Sequence, residues 1–123
     1  MSYNLFLDDI RMPYVVGDYM YPVDLRPLYR LKNWEIARNY DEFTKLITEK
    51  GLPEMISFDH DLADAHYDPK TWTESFQYLE KTGYDCAKWM MNHCTENNLK
   101  LPDIILCHSM NPIGKEKIQN LFK

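Results

Sequence analysis

Cysteine is scarce in this chain, and its distribution excludes a disulfide scaffold: Cys86, Cys94 and Cys107 are an odd set without small-domain disulfide spacing. They read as core residues with no metal-ligand spacing, and a reducing, cytoplasmic compartment is the expectation. Long apolar runs are missing too. Nowhere do about 18 consecutive apolar residues occur, which excludes a membrane-spanning helix and makes a membrane an unexpected partner. The opening MSYNLFLDDI has no basic stretch followed by a long apolar one, so no standard export signal is expected. Positive charge is in deficit, with 14 Lys and Arg against 19 Asp and Glu and a net charge of -5. An extended nucleic-acid duplex, bound through clustered cations, is therefore not an expected partner. A small phosphorylated metabolite or a nucleic-acid end is still compatible, because a local site with a metal overrides the global sign. Repeats and low-complexity tracts are absent.

What is present is core material. Apolar residues make up 45% of the 123 residues and aromatic ones 14%, enough for one packed interior and one domain spanning 1–123. Four short apolar runs read as strands: Tyr3 to Leu7, Trp34 to Arg38, Met55 to Phe58, and Ile104 to Cys107. Three of them are nearly continuous rather than alternating, as strands covered on both faces of a parallel sheet are. Helical patterns lie between them. Asp41 to Lys50 places Phe43, Leu46 and Ile47 on one face and stops at Gly51 and Pro53. Thr82 to about Asn97 begins with a capping Thr and Asp85 three residues on. The last helix opens with Asn111-Pro112, a cap followed by proline in the first turn.

Two segments fit neither pattern. Arg11 to Lys32, with Pro13, Pro22 and Pro27 among Tyr14, Tyr19, Tyr21 and Tyr29, reads as a long ordered loop with at most one short helical turn. Ala63 to Lys81 reads as a lid-like loop carrying His66. The whole order is α/β, implying right-handed crossovers, a mainly parallel four-stranded sheet, and ligands beyond the carboxyl ends of the strands.

Those strand ends hold the polar clusters. Asp8-Asp9 follows the first strand and Asp59-His60-Asp61 the third, so a parallel sheet brings both acidic groups together. Carboxylates so close repel unless a cation or proton intervenes, and Mg²⁺ or another divalent cation held by Asp8, Asp9, Asp59 and Asp61 is the simplest solution. The alternative is a set of solvated strand ends with capping roles. His108-Ser109-Met110-Asn111 follows the fourth strand, where the helix start at Asn111 suits a phosphate and Ser109 could donate to it. His108 would then act as general acid or base, or else only hydrogen-bond a carbonyl. His60 either points away from its acidic neighbours or joins them. Arg11 and Arg38 are candidate phosphate clamps, or equally surface arginines paired with carboxylates. His93 falls on an apolar stripe and reads as structural.

FLDDIR at Phe6 to Arg11, SFDHDL at Ser57 to Leu62, TGYDCAKW at Thr82 to Trp89 and HSMNPIG at His108 to Gly114 together resemble the cyclic-phosphate-processing receiver-like family, relatives of the response-regulator receiver domain. The four ordered motifs span nearly the whole chain. The resemblance implies a receiver-like, flavodoxin-like three-layer sandwich, with Asp8 and Asp9 matching the acidic metal-binding pair and Asp59 the phospho-acceptor position. It departs from ordinary receivers where the fourth strand ends in His108-Ser109 and where no fifth strand with its lysine is evident, which argues against phospho-relay signalling. The family is associated with RNA repair and with conflict systems of bacteria and phages. The implied substrate is a small nucleotide-like phosphate or an RNA end, in a bacterial or phage-infected cytoplasm.

Two functions follow. One is a metal-dependent phosphoesterase in which Asp8, Asp9 and Asp59 hold Mg²⁺, Arg11 and the Asn111 helix start bind phosphate, and His60 or His108 moves a proton as a cyclic phosphate opens. The other is a non-catalytic pseudo-receiver that binds a nucleotide-like ligand or a protein partner through its Tyr-rich segment.

Overall fold

A computed structural model describes residues 3–20, 23–60, 62 and 82–122. Four strands, β1 (Asn4–Leu7), β2 (Trp34–Ala37), β3 (Met55–Phe58) and β4 (Ile104–Cys107), form one all-parallel sheet in the order β2-β1-β3-β4. The register sets Leu7 beside Ala37 and Phe58, and Phe58 beside Cys107, so the strands end level with one another. This is an α/β receiver-like arrangement, and it matches the parallel sheet expected from the continuous apolar runs.

The pleat sends alternate residues to two cores. Leu5, Leu7, Ile56, Phe58 and Cys107 enter the larger core under helices α2 (Tyr40–Lys50), α3 (Gly83–Glu96) and α4 (Pro112–Leu121), which contribute Phe43, Ile47, Met90 and Ile118. Phe6 turns the other way and meets Val16, Met20 and Tyr29, with Trp34, Ile36 and Leu106 packed around them. That second layer comes from the Pro-rich segment, which forms the short helix α1 (Pro13–Val16) and a 3-10 helix over Val23–Arg30. It holds more helix than the single turn expected, because 3-10 geometry accommodates Pro27 while placing Tyr29 against the sheet. The segment expected as a lid, Ala63 to Lys81, lies outside the described residues.

The helix starts are locally determined. Asn39 caps α2 by accepting the Glu42 N–H at 2.8 Å, so that helix begins at Tyr40, one residue before its expected start. Thr82 and Asp85 close a reciprocal capping box on α3, with the Thr82 N–H donating to Asp85 Oδ2 at 2.8 Å. Asn111 caps α4 by accepting the Gly114 N–H at 3.1 Å, with Pro112 in the first turn. All three cysteines are free and buried, as core residues should be.

Candidate metal and phosphate site

Because the strands end level, the residues just beyond β1, β3 and β4 share one end of the sheet. Asp8, Asp59 and His108 meet there, all buried, each offering a ligand atom within 4.8 Å of the others. This group could hold a metal ion. The placement follows from backbone pairing that continues past the strands: Asp8 N–H donates to Ala37 O, Asp59 N–H to Leu7 O, and His108 N–H to Phe58 O.

Asp8 is fully buried yet well satisfied. Its Oδ1 accepts the backbone N–H of Ile10 at 3.0 Å and of Arg11 at 2.8 Å, and its Oδ2 faces His108 Nε2 at 3.0 Å. Burial alone would raise its pKa, but the His108 hydrogen bond and the backbone donors of Arg11 and Ile10 outweigh it and hold the carboxyl at about 2. Asp59 has the opposite fate. Burial, reinforced by the charges of Asp8 and Asp9, raises it to about 7 against the opposing pull of Arg11 and the His60 N–H, which bonds Asp59 Oδ1 at 2.9 Å. One carboxyl is thus locked ionised while its neighbour holds a proton near neutrality, a separation that occurs where acid–base chemistry or a cation is to be accommodated.

His108 belongs to a buried chain. Burial lowers its pKa further than the Asp8 bond and charge raise it, and Arg11 and Lys115 lower it again, so the ring is neutral. Asp8, being ionised, can only accept, so Nε2 carries the hydrogen and Nδ1 must itself accept. Ser57 Oγ supplies that hydrogen at 2.6 Å and in turn accepts from the Tyr29 hydroxyl at 2.7 Å. The chain Tyr29, Ser57, His108, Asp8 is therefore polarised in one direction. The ring is also stacked on Phe6, with centroids 4.5 Å apart and planes 8° from parallel. With Nε2–H turned to Asp8, the donors left for a cation in this state are the carboxylate oxygens of Asp8 and Asp59; Asp9 is half-buried, and its charge acts on Asp59.

The other expected site residues fall in distinct places. Arg11 stands at the mouth, Nη1 3.6 Å from Asp8 Oδ2 and Nη2 3.5 Å from Met110 Sδ. Arg38, expected as a phosphate clamp, places Nη1 on the carbonyl oxygens of Asp8 (3.2 Å) and Arg11 (2.7 Å) and Nη2 on Met12 Sδ, bracing the loop that carries the acidic pair. Ser109 is buried and accepts the Asn111 N–H at 3.1 Å, shaping the turn into α4. His60 is half-buried. Its carbonyl accepts the Gly83 N–H at 2.7 Å, and its ring lies where a Cβ on Gly114 would be. Asp61 lies outside the described residues.

Sequence reasoning missed Ser57 and Tyr29 as parts of the site, and it missed the reason for two glycines. A Cβ on Gly83 would overlap the Asp59 carbonyl oxygen, so α3 can begin against the third strand's end only with glycine there. The available signal was Ser57 itself, a hydroxyl inside an otherwise apolar, fully buried strand.

A family model described as the cyclic-phosphate processing receiver domain matches residues 3–123. No curated protein and no solved structure matches the chain.

Proposed function

The chain belongs to the cyclic-phosphate processing receiver domain family, and from its site we propose that it is a metal-dependent phosphoesterase that opens a cyclic phosphate on a nucleotide, an ADP-ribose derivative or an RNA end. The observation that carries this reading is the buried meeting of Asp8, Asp59 and His108, whose ligand atoms lie within 4.8 Å of one another. Asp8, Asp59 and the half-buried Asp9 would hold the cation, and an all-oxygen donor set favours Mg²⁺. When bound, that ion supplies charge neutralisation at the phosphoryl oxygens and a lowered pKa for water.

The remaining work falls to the chain. Arg11, at the mouth beside Asp8, binds a phosphoryl oxygen, and the start of α4 adds backbone N–H groups and a positive dipole end. His108 positions Asp8 rather than exchanging protons, since both its nitrogens are engaged inside the fold. His60, whose backbone N–H bonds Asp59, would move the proton. In the reaction a water oxygen bonds to phosphorus and one ring P–O ester bond breaks. The water's proton leaves to solvent, His60 protonates the departing sugar oxygen, and the product is a phosphomonoester.

The test is a panel of nucleoside cyclic phosphates, RNA ends bearing a cyclic phosphate, and ADP-ribose cyclic phosphate, incubated with purified protein and Mg²⁺. At least one should open, chelation should stop the reaction, and His60→Ala should slow it by about a hundredfold while substrate binding persists. A panel left wholly intact would overturn the hydrolase reading.

A further inference from the structure

Among the described residues the most exposed large apolar side chains are Ile113 at 69%, Ile10 and Met110 at 68%, and Tyr14 at 63%. All four stand in the two segments that leave β1 and β4 at the end of the sheet where Asp8, Asp59 and His108 meet. Single exposed apolar residues are ordinary, but several collected at one opening mark a binding surface.

Three of them are tied to that opening by contacts. Ile10 N–H donates to Asp8 Oδ1 at 3.0 Å, so its exposed side chain begins two residues from the buried carboxylate. Met110 lies 99 positions along the chain from Arg11, yet its Sδ stands 3.5 Å from Arg11 Nη2, on the side chain that borders Asp8 at 3.6 Å. Ile113 is in the first turn of α4, directly before Gly114, whose missing Cβ lets that turn pack on the His60 ring just beyond β3. The opening therefore has a cation and buried acids at its centre and apolar side chains at its border. A phosphoryl group held by Arg11 and the acids leaves the rest of its molecule to lie across that border. A bare sugar gains little there. A flat heterocycle covers the apolar area, and a methionine sulfur favours contact with a ring.

We propose that Ile10, Met110 and Ile113 form a base-recognition border, which selects a ligand whose cyclised ribose itself carries a nucleobase: a nucleoside cyclic phosphate or the last nucleotide of an RNA end. The proposal rests on the phosphate-handling reading of the site and narrows its ligands, because in ADP-ribose cyclic phosphate the cyclised ribose carries no base. These side chains offer no strong hydrogen-bonding group, so the border accepts purines and pyrimidines alike.

Calorimetric titration with Mg²⁺ compares two probes, adenosine with a cyclic phosphate across its ribose hydroxyls and the methyl riboside bearing the same cyclic phosphate without a base. Wild type should bind the adenosine probe about tenfold or more tightly. Equal affinities would overturn the proposal and leave the hydrolase reading standing. The double variant Ile10→Ser with Ile113→Ser, which keeps the Arg11–Met110 contact, should bring the two affinities to within about twofold of each other. A preference retained in full by the folded variant would place the base elsewhere and overturn the proposal as well; if the variant does not fold, the wild-type comparison decides. Sedimentation of ligand-free wild type should show a monomer, and a dimer that the double variant abolishes would assign the border to a second copy instead. If wild type prefers the adenosine probe but opens no ring, the hydrolase reading falls and the border stands. If it binds neither probe, both fall.

Discussion

At the scale of single residues, the site's chemistry is set less by which acids are present than by what lies behind them. Asp8 and Asp59 are the same side chain at equivalent strand ends, yet three donors fix Asp8 as a carboxylate while the described residues offer Asp59 Oδ1 only the N–H of His60. The support for Asp8 is itself supported, since Ser57 donates to His108 Nδ1 and so holds the ring that faces Asp8. Ser57→Ala would leave both His108 Nδ1 and the Tyr29 hydroxyl buried without their partner. We expect it to cost about 1–3 kcal/mol in urea unfolding, and more than the double variant Ser57→Ala with Tyr29→Phe would suggest by addition, because the double change removes one of the stranded groups. Strict additivity would mean that the chain is not coupled. Neither residue stood out in the sequence as chemistry: they lie 28 positions apart and meet only because the pleat turns Ser57 away from the helices. The strand-end acids were legible for the opposite reason, since a parallel sheet brings such ends together whatever the side chains do.

At the scale of elements, the strands and the three longer helices were readable because each follows a local rule. The strands are unbroken apolar runs, and the helices carry Asn39, Thr82 and Asn111 at their caps. The layer built from residues 11–30 was not readable in the same way. Its 3-10 helix carries Pro27 in its interior, which in the sequence argues against a helix. The glycines at the helix starts show how elements are fitted to the site. Gly83→Ala would drive a methyl into the backbone carbonyl of Asp59, which cannot yield as a flexible side chain can, so about 3 kcal/mol or more of stability should be lost in denaturant titration. Gly114→Ala meets the His60 side chain instead. It should be milder for stability, about 1–3 kcal/mol, but should displace the imidazole and reduce turnover well beyond what unfolding explains. Equal stability losses at the two positions would contradict this distinction between backbone and side-chain obstacles.

For the molecule as a whole, the buried acids make stability depend on pH in opposite senses. Asp8, lowered to about 2 in the fold from an ordinary 3.8, stabilises the protein above that ordinary value and loses the effect as pH falls toward 2. Asp59, raised from 3.8 to about 7, makes the folded state bind more protons than the unfolded chain between those values, so stability falls as pH rises through that window. The net charge of -5 adds self-repulsion in the same direction above neutrality. Metal-free protein should therefore melt highest in mildly acidic buffer and lose several degrees between about pH 5 and pH 8. A divalent cation favours the ionised carboxylate and binds only the folded site, so Mg²⁺ should recover much of that loss at pH 8 and little at pH 5. Asp59→Asn removes the titrating group, and it should flatten the acid-to-neutral limb and abolish the Mg²⁺ increment together. A melting temperature that climbs from pH 5 to pH 8 without metal, or an Asn variant that still gains from Mg²⁺ as wild type does, would show that Asp59 is neither the strained acid nor a necessary cation ligand.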